Sequence, residues 1–415
     1  MRLFRLILPL LLLSGCTFHN ADEDKRQSSG SPDAATKPAA VTDALAAHDP
    51  AAGVALGPQQ IPDSEARPLM QAQVVLDRLG FTPGVVDGKN GLSSRNAVEG
   101  FQEANGLTRT GQLDDATLKA LAQWNNIPAT RVVTIPDEFA AGPFYAMPKD
   151  PADQARMPAL GYETLDEKLA ERFHTTVATL QALNPGGMPA GMKMPNGAAM
   201  KPAPASLASE TPDAAPNAEP SSGSSQMAGP QPGPASIFHA GQQIRVPNVG
   251  GDAIVAGAVT DADWRSTLET LGVGSEQAKA SKIVVSKSRG TLKAFDEAGN
   301  LIAVYTATMG STHDPLPLGN WKVQGISRNP TFHYNPRLFW DAKATAEKAL
   351  LPAGPNGPVG VVWIDLSKPH YGIHGTTRPE TIGRAESHGC VRLTNWDAAR
   401  LAQMVSTKTQ VLFEA

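Results

Sequence analysis

His374 lies 16 residues before Cys390 and His388 lies two before it, in the segments Ile373-His374-Gly375-Thr376-Thr377 and Glu386-Ser387-His388-Gly389-Cys390-Val391-Arg392-Leu393. A thiol attacks as thiolate, and near neutral pH it needs a base or a positive field beside it. The two histidines are the base candidates. Gly389 has no β-carbon, so backbone amides beside it can approach the place where an oxyanion would develop. The pattern supplies a nucleophile, a base and a tight turn for acyl chemistry. The alternatives are a buried, inert cysteine or a zinc site, but one sulfur and no Cys-x-x-Cys spacing make a poor metal set. No metal or cofactor is expected.

These residues need a rigid frame, and residues 281–415 read as a mostly-β one. Strands are expected at Ile283–Ser286, Thr291–Phe295, Leu301–Thr308, Asn320–Val323, Val359–Ile364 and Gln410–Phe413, with a hairpin turn over Asp296–Asn300. Helices are expected at about 342–350 and 396–406. Cys390 then falls between a strand and a helix.

Upstream, residues 67–125 read as three helices. Pro68 suits a first turn, and Leu69, Ala72, Leu76 and Leu79 follow at helical spacing up to Gly80. Ser94 is the expected cap of a second helix with Ala97, Val98, Phe101 and Ala104 on its face. Asp114 or Asp115 starts the third, and the turn-dense loop Gly84–Gly91 joins the first two.

Residues 158–249 suggest a further module. Leu165, Leu169 and Phe173 share a helical face, and His174-Thr175-Thr176-Val177 opens a second helix. The segment Ala240–Asn248 comes much later, after a Pro-, Ala-, Ser- and Met-rich insertion at 187–235 that is expected to be disordered.

Arg2, Arg5 and the apolar run Leu6–Leu13 read as an export signal too short to span a bilayer. Residues 17–66 read as a flexible tether. The net charge is −4 with 18% charged residues, and no basic run or aromatic-basic interleaving occurs, so nucleic acid is not an expected partner.

Leu13-Ser14-Gly15-Cys16 resembles the bacterial lipobox, which implies a signal peptide over 1–15 and a lipid-modified Cys16; an ordinary secretory signal is the alternative. With Cys16 acylated, no second cysteine remains for a disulfide with Cys390. An exported thiol kept in that way is expected to be used. Thr17 after Cys16 is not acidic, which favours an outer-membrane anchor facing the periplasm.

Leu79-Gly80-Phe81, Val86-Asp87-Gly88, Phe101-Gln102, Asn105-Gly106-Leu107 and Gly111-Gln112-Leu113-Asp114 make 67–125 similar to the peptidoglycan-binding type 1 module. The 158–249 segment resembles a split βααβ LysM-type module, a glycan-binding fold. Residues 281–415 resemble the L,D-transpeptidase (YkuD-type) catalytic domain, on Gly310-Ser311, Pro315-Leu316-Pro317-Leu318-Gly319 and the His-Gly-Thr and Ser-His-Gly-Cys elements. One departure is Arg392, where many members have Asn.

The resemblance implies a β-sandwich enzyme acting on peptidoglycan stem peptides. It implies Cys390 as nucleophile, His374 as general acid and base, the Gly375 carbonyl orienting His374, and amides of Gly389 and Cys390 holding the oxyanion. His388 is expected to support the site, by shaping the oxyanion turn or by hydrogen bonding behind the reacting groups. Arg392, Ser387, Thr376 and Tyr371 are the expected substrate-binding residues, Arg392 toward a stem carboxylate and Ser387 and Thr376 as hydrogen-bonding framework. His333, Tyr334, Trp340 and Tyr371 could line the donor cleft, with packing as the alternative.

Overall fold

The computed structural model describes residues 61–192, 229–250, 253–338, 345–384 and 389–415. Three helices open it: α1 (Pro68–Arg78), α2 (Leu92–Ala104) and α3 (Asp115–Leu121), with the two-residue strand β1 (Phe81–Thr82) after α1. Asp114 caps α3 by accepting the Thr117 amide. Ser94 is not the cap of α2. That helix starts at Leu92 after Gly91, and the Ser94 hydroxyl instead donates to the Lys89 carbonyl at 3.1 Å. The buried Gln73 amide oxygen accepts from the amides of Asp87 and Gly88 and so shapes the preceding loop.

The middle segment pairs β2 (Thr130–Thr134) antiparallel with β3 (Gln243–Pro247). Helices α4 (Leu165–Arg172) and α5 (Val177–Leu183) lie between them in sequence and share a core with Ile244 and Val246. The expected boundary at 158 is therefore too late, because the first strand comes from Thr130–Thr134. It was missed because 137–161, with only single-turn helices at Asp137–Ala140 and Pro151–Gln154, separates it from α4.

The expected insertion is also narrower than 187–235. Arg245 Nε donates to the Ala190 carbonyl, and Tyr145 bridges Pro232, so both described ends are tied down. Residues 193–228 lie outside the described residues. The last part of the expected tether is held too, since Arg245 Nη2 donates to the Ile61 and Pro62 carbonyls.

Helix α6 (Ala262–Leu271) follows, capped by Asp261 and ended by left-handed Gly272. Eleven strands come next: β4 (Lys282–Ser286), β5 (Thr291–Phe295), β6 (Leu301–Thr306), β7 (Thr308–Met309), β8 (Gly319–Arg328), β9 (Phe332–Tyr334), β10 (Ala349–Leu351), β11 (Val362–Leu366), β12 (Gly372–His374), β13 (Val391–Arg392) and, after helix α7 (Asn395–Met404), β14 (Gln410–Glu414). The expected helix at 342–350 is wrong where it is described. Ala349–Leu351 is a strand paired with β9, because Leu351 is buried against Met157 and Leu160 of the middle segment.

The main sheet is continuous, in the order β1-β6-β5-β4-β14-β8-β11-β12-β13-β7. Strand β8 belongs to both halves, pairing with β14 over Gly319–Lys322 and with β11 over Val323–Arg328. Side chains from both halves, such as Val285 and Leu292 from one and Ile364 and Ile373 from the other, meet in one core with α6 and α7. The expected sandwich is one sheet bent at β8 around that core.

The helical segment is fused to this sheet rather than tethered to it. β1 adds to β6 as a parallel edge strand, Phe81 opposite Val304. A charged hub completes the join. Arg400 of α7 grips Asp77 of α1 at 3.0 and 2.9 Å, and His174 reaches Asp77 at 3.2 Å and the Leu271 carbonyl at 2.9 Å. The Arg400 and His174 charges outweigh burial and hold the Asp77 carboxyl below the usual carboxylate range.

Candidate functional site

The strand register places the two principal candidates. β12 and β13 run parallel, with Ile373 opposite Val391 and His374 opposite Arg392. Ile373 and Val391 are buried in the core. Side chains alternate along a strand, so His374, Arg392 and Cys390, one residue before β13, stand together on the other face. Cys390 lies diagonally across from His374, two register positions from the residue opposite it.

His374 is only 4% exposed although it is off the core face. Trp363 of β11, directly opposite in register, covers it with its ring, the centroids 5.6 Å apart. The His374 Nδ1 lies 2.7 Å from the Gly375 carbonyl oxygen. A carbonyl only accepts, so Nδ1 carries the proton and Nε2 holds the lone pair of the neutral ring. Burial, with the Arg392 charge beside it, pushes the imidazole down to about 3, while the Gly375 hydrogen bond opposes the shift.

Burial pushes the Cys390 thiol above its ordinary value. The Gly372 amide and the Arg392 guanidinium favour the thiolate, and the Asp314 carboxylate opposes it. The resting pair is a thiol and a neutral imidazole. The sulfur also lies 3.8 Å from the His370 carbonyl, in a long S–H contact.

Gly389 has φ +96°, a left-handed conformation, and a β-carbon there would meet Tyr371 Cε1 at 2.8 Å. The backbone before the sulfur is thus shaped by the Tyr371 ring, and burial raises the Tyr371 hydroxyl above its ordinary value. Thr376 Oγ1 accepts the Arg378 amide at 3.3 Å, inside a turn. Tyr334 packs against the Met157, Leu160 and Leu351 cluster, and His333 is exposed on β9. Cys16, Trp340, Ser387 and His388 lie outside the described residues. A cavity of about 660 Å³ beside α4 and α6 includes neither Cys390 nor His374 in its lining.

Three neighbours of the dyad escaped the sequence reading. Trp363 was read only as part of a strand. Asp314 sits in the turn between β7 and β8, where the Ser311 hydroxyl accepts its amide at 2.9 Å. Asn395 follows the cap Thr394 at the start of α7, and its amide oxygen fills the space where β-carbons on Gly360 and Gly375 would stand.

Residues 280–412 match the family of the L,D-transpeptidase catalytic domain, YkuD, and residues 67–121 match a peptidoglycan-binding domain family. A Fuscovulum blasticum protein from the ATP synthase subunits region, named as an L,D-transpeptidase, is 43% identical over 148 residues, covering 36% of this chain and 73% of that protein. The Bacillus licheniformis protein named L,D-transpeptidase YkuD is 33% identical over 130 residues, 31% of this chain and 63% of its own length. The Escherichia coli protein named L,D-transpeptidase YbiS is 32% identical over 135 residues, 32% of this chain and 44% of its own length. This chain thus spans less than two thirds of the Bacillus licheniformis and Escherichia coli proteins.

Proposed function

Since this chain belongs to the L,D-transpeptidase family, we propose that it is a cysteine-dependent acyltransferase acting on peptidoglycan stem peptides. The observation that carries the reading is the Nδ1 hydrogen bond of His374 to Gly375, which leaves Nε2 as the basic atom on the face it shares with Cys390.

Cys390 gives its proton to His374 Nε2, and the sulfur attacks the carbonyl joining diaminopimelate to the terminal D-alanine of a tetrapeptide stem. Positioned proton transfer of this kind contributes on the order of 100- to 10,000-fold. Amides of Gly389 and Cys390 hold the oxyanion, where losing one donor costs about 3 kcal/mol. The tetrahedral intermediate breaks its C–N bond, the D-alanine amine takes the proton from Nε2, and a thioester remains. An acceptor amine then attacks the thioester carbonyl, gives a proton to Nε2 and displaces the sulfur, which recovers the proton. The new amide draws on the acyl energy retained in the thioester, so no nucleotide is needed. The Gly375 carbonyl orients the imidazole and supports its charged form, as the acid does in a Ser-His-Asp triad. Arg392 faces the substrate carboxylate, and its charge favours ionisation of the thiol and disfavours protonation of the imidazole. Tyr371 and Thr376 shape the substrate side of the turn, with Ser387 and His388 as further support.

The helical segment 67–125 supplies wall binding. The middle segment works as a strut, because its helices share a core with α1 side chains such as Met70 and Val74. Export and acylation at Cys16 would anchor the chain in the outer membrane, facing the periplasm; palmitate labelling lost in Cys16→Ser tests this. The enzymatic reading is tested by incubating purified protein with disaccharide-tetrapeptide and analysing the muropeptides. Cross-linked dimers with released D-alanine are expected. Trimmed tripeptides alone would identify a carboxypeptidase, and unchanged substrate would refute the reading.

A further inference from the structure

The buried carboxyl of Glu171 reaches the backbone of Gly375, the residue after His374, through one intervening side chain, Asn395. Glu171 lies on α4, is 5% exposed, and belongs to the middle segment rather than to the matched catalytic region. Its Oε1 accepts from Asn395 Nδ2 at 2.9 Å, and its Oε2 accepts from the Tyr162 hydroxyl at 2.8 Å.

Asn395 is fully buried. Its Nδ2 also donates to the Pro355 carbonyl at 3.2 Å, while its Oδ1 accepts the Val361 amide at 3.4 Å. Two acceptors on one side and a donor on the other fix which way the amide faces. With that orientation Oδ1 lies against the backbones of Gly360 and Gly375, in the space a β-carbon on either would need. The Gly375 peptide is held on its other side by its N–H, which donates to the Val359 carbonyl at 3.1 Å. The peptide on the far side of the Gly375 Cα, Gly375–Thr376, carries the carbonyl that accepts from His374 Nδ1.

We propose that Glu171 is a positioning residue: by holding the Asn395 amide it sets the Gly375 peptide, and with it the tautomer and ring plane of His374. The inference rests on the reading of His374 as the proton acceptor. It makes the middle segment part of the working site. Moving a reacting group by about 1 Å can cost on the order of 100-fold in rate, which is ample for a residue that never touches substrate.

The test compares wild type with Glu171→Met, which fills the space without an accepting oxygen, and Glu171→Gln, which keeps one. All are full-length chains. Two quantities are read: kcat and KM for the tetrapeptide donor, and the His374 Nδ1–H proton resonance in histidine-labelled protein. Glu171→Met is expected to lower kcat about 10- to 100-fold with KM unchanged and to shift or broaden that resonance, while Glu171→Gln stays within about 3-fold of wild type. A Glu171→Met protein with wild-type kcat and an unmoved resonance overturns the proposal, even if its melting temperature falls. So does a Glu171→Gln protein as impaired as Glu171→Met. Should wild type itself fail to turn over the donor, the transpeptidase reading fails separately, and the resonance decides: moved in Glu171→Met alone supports the positioning role, unmoved refutes it.

Discussion

Gly389 and Tyr371 are packed so closely that a β-carbon on Gly389 would lie 2.8 Å from Cε1 of the ring. The backbone just before Cys390 is therefore fixed twice, by a left-handed φ and by a neighbouring aromatic face. Gly389→Ala should lower donor turnover at least about 100-fold and destabilise the fold by about 1–3 kcal/mol. Adding Tyr371→Ala removes the collision but not the φ penalty, so it should restore only part of the stability. Urea unfolding of the single and double variants measures this. Full recovery in the double variant would assign the whole effect to the ring.

Arg392 faces His374 across the β12–β13 pairing, and its charge disfavours the imidazolium while favouring the thiolate. A base must be unprotonated to work, so activity is lost as pH falls through its pKa. For wild type that limb lies near the His374 value of about 3. In Arg392→Ala the imidazole protonates more easily, so the acid limb should move to higher pH. The Cys390 thiol should also need more alkaline solution to react with iodoacetamide. The pH profile of kcat/KM reports the first change, and an unmoved limb would remove Arg392 from the electrostatics of the site.

Asp77 joins α1 to α7 through Arg400, with both groups buried. Burying such a pair is not by itself evidence of stability, but stripping one partner leaves a buried charge uncompensated. Asp77→Ala should cost about 3–5 kcal/mol. The exposed Arg109–Glu103 pair should cost only about 0–1 kcal/mol when Arg109 is replaced by Ala. Chemical denaturation of both variants checks the contrast, and similar losses would contradict it.

Gly100 sits mid-helix on α2, where alanine would ordinarily gain about 1 kcal/mol. Here a β-carbon would meet Val304 Cγ2 at 2.6 Å and Cβ at 2.9 Å, on the strand that β1 joins. Overpacking costs about 1–3 kcal/mol, so the collision should win and Gly100→Ala should lower the melting temperature. A rise would mean that the helical segment does not press on β6 as described.

Much of the catalytic half was legible because its signals are local. The β5–β6 hairpin follows from alternation on either side of Asp296–Asn300, and the pairing of Gly389 with Cys390 advertises its turn. The contact of His374 Nδ1 with the Gly375 carbonyl at 2.7 Å is likewise local, made between adjacent residues. Contacts made across long sequence separations were not legible. Nothing near Phe81 says that it will pair with Val304, and nothing near Glu171 says that it will meet Asn395, 224 residues away. The expected helix ending at Leu350 failed for the same reason, since the burial of Leu351 is decided by Met157 and Leu160. The strand Thr130–Thr134 was missed because its partner lies beyond a long insertion.

The central claim is that the Cys390 sulfur carries the acyl group. Intact-mass spectrometry of the purified chain, quenched during turnover of the disaccharide-tetrapeptide donor, tests it most directly. The account predicts an adduct equal to the donor minus D-alanine, mapped by peptide digestion to Cys390, absent from Cys390→Ala and much slower to form in His374→Ala. A Cys390→Ala protein that still forms the adduct or the cross-linked dimer would contradict it.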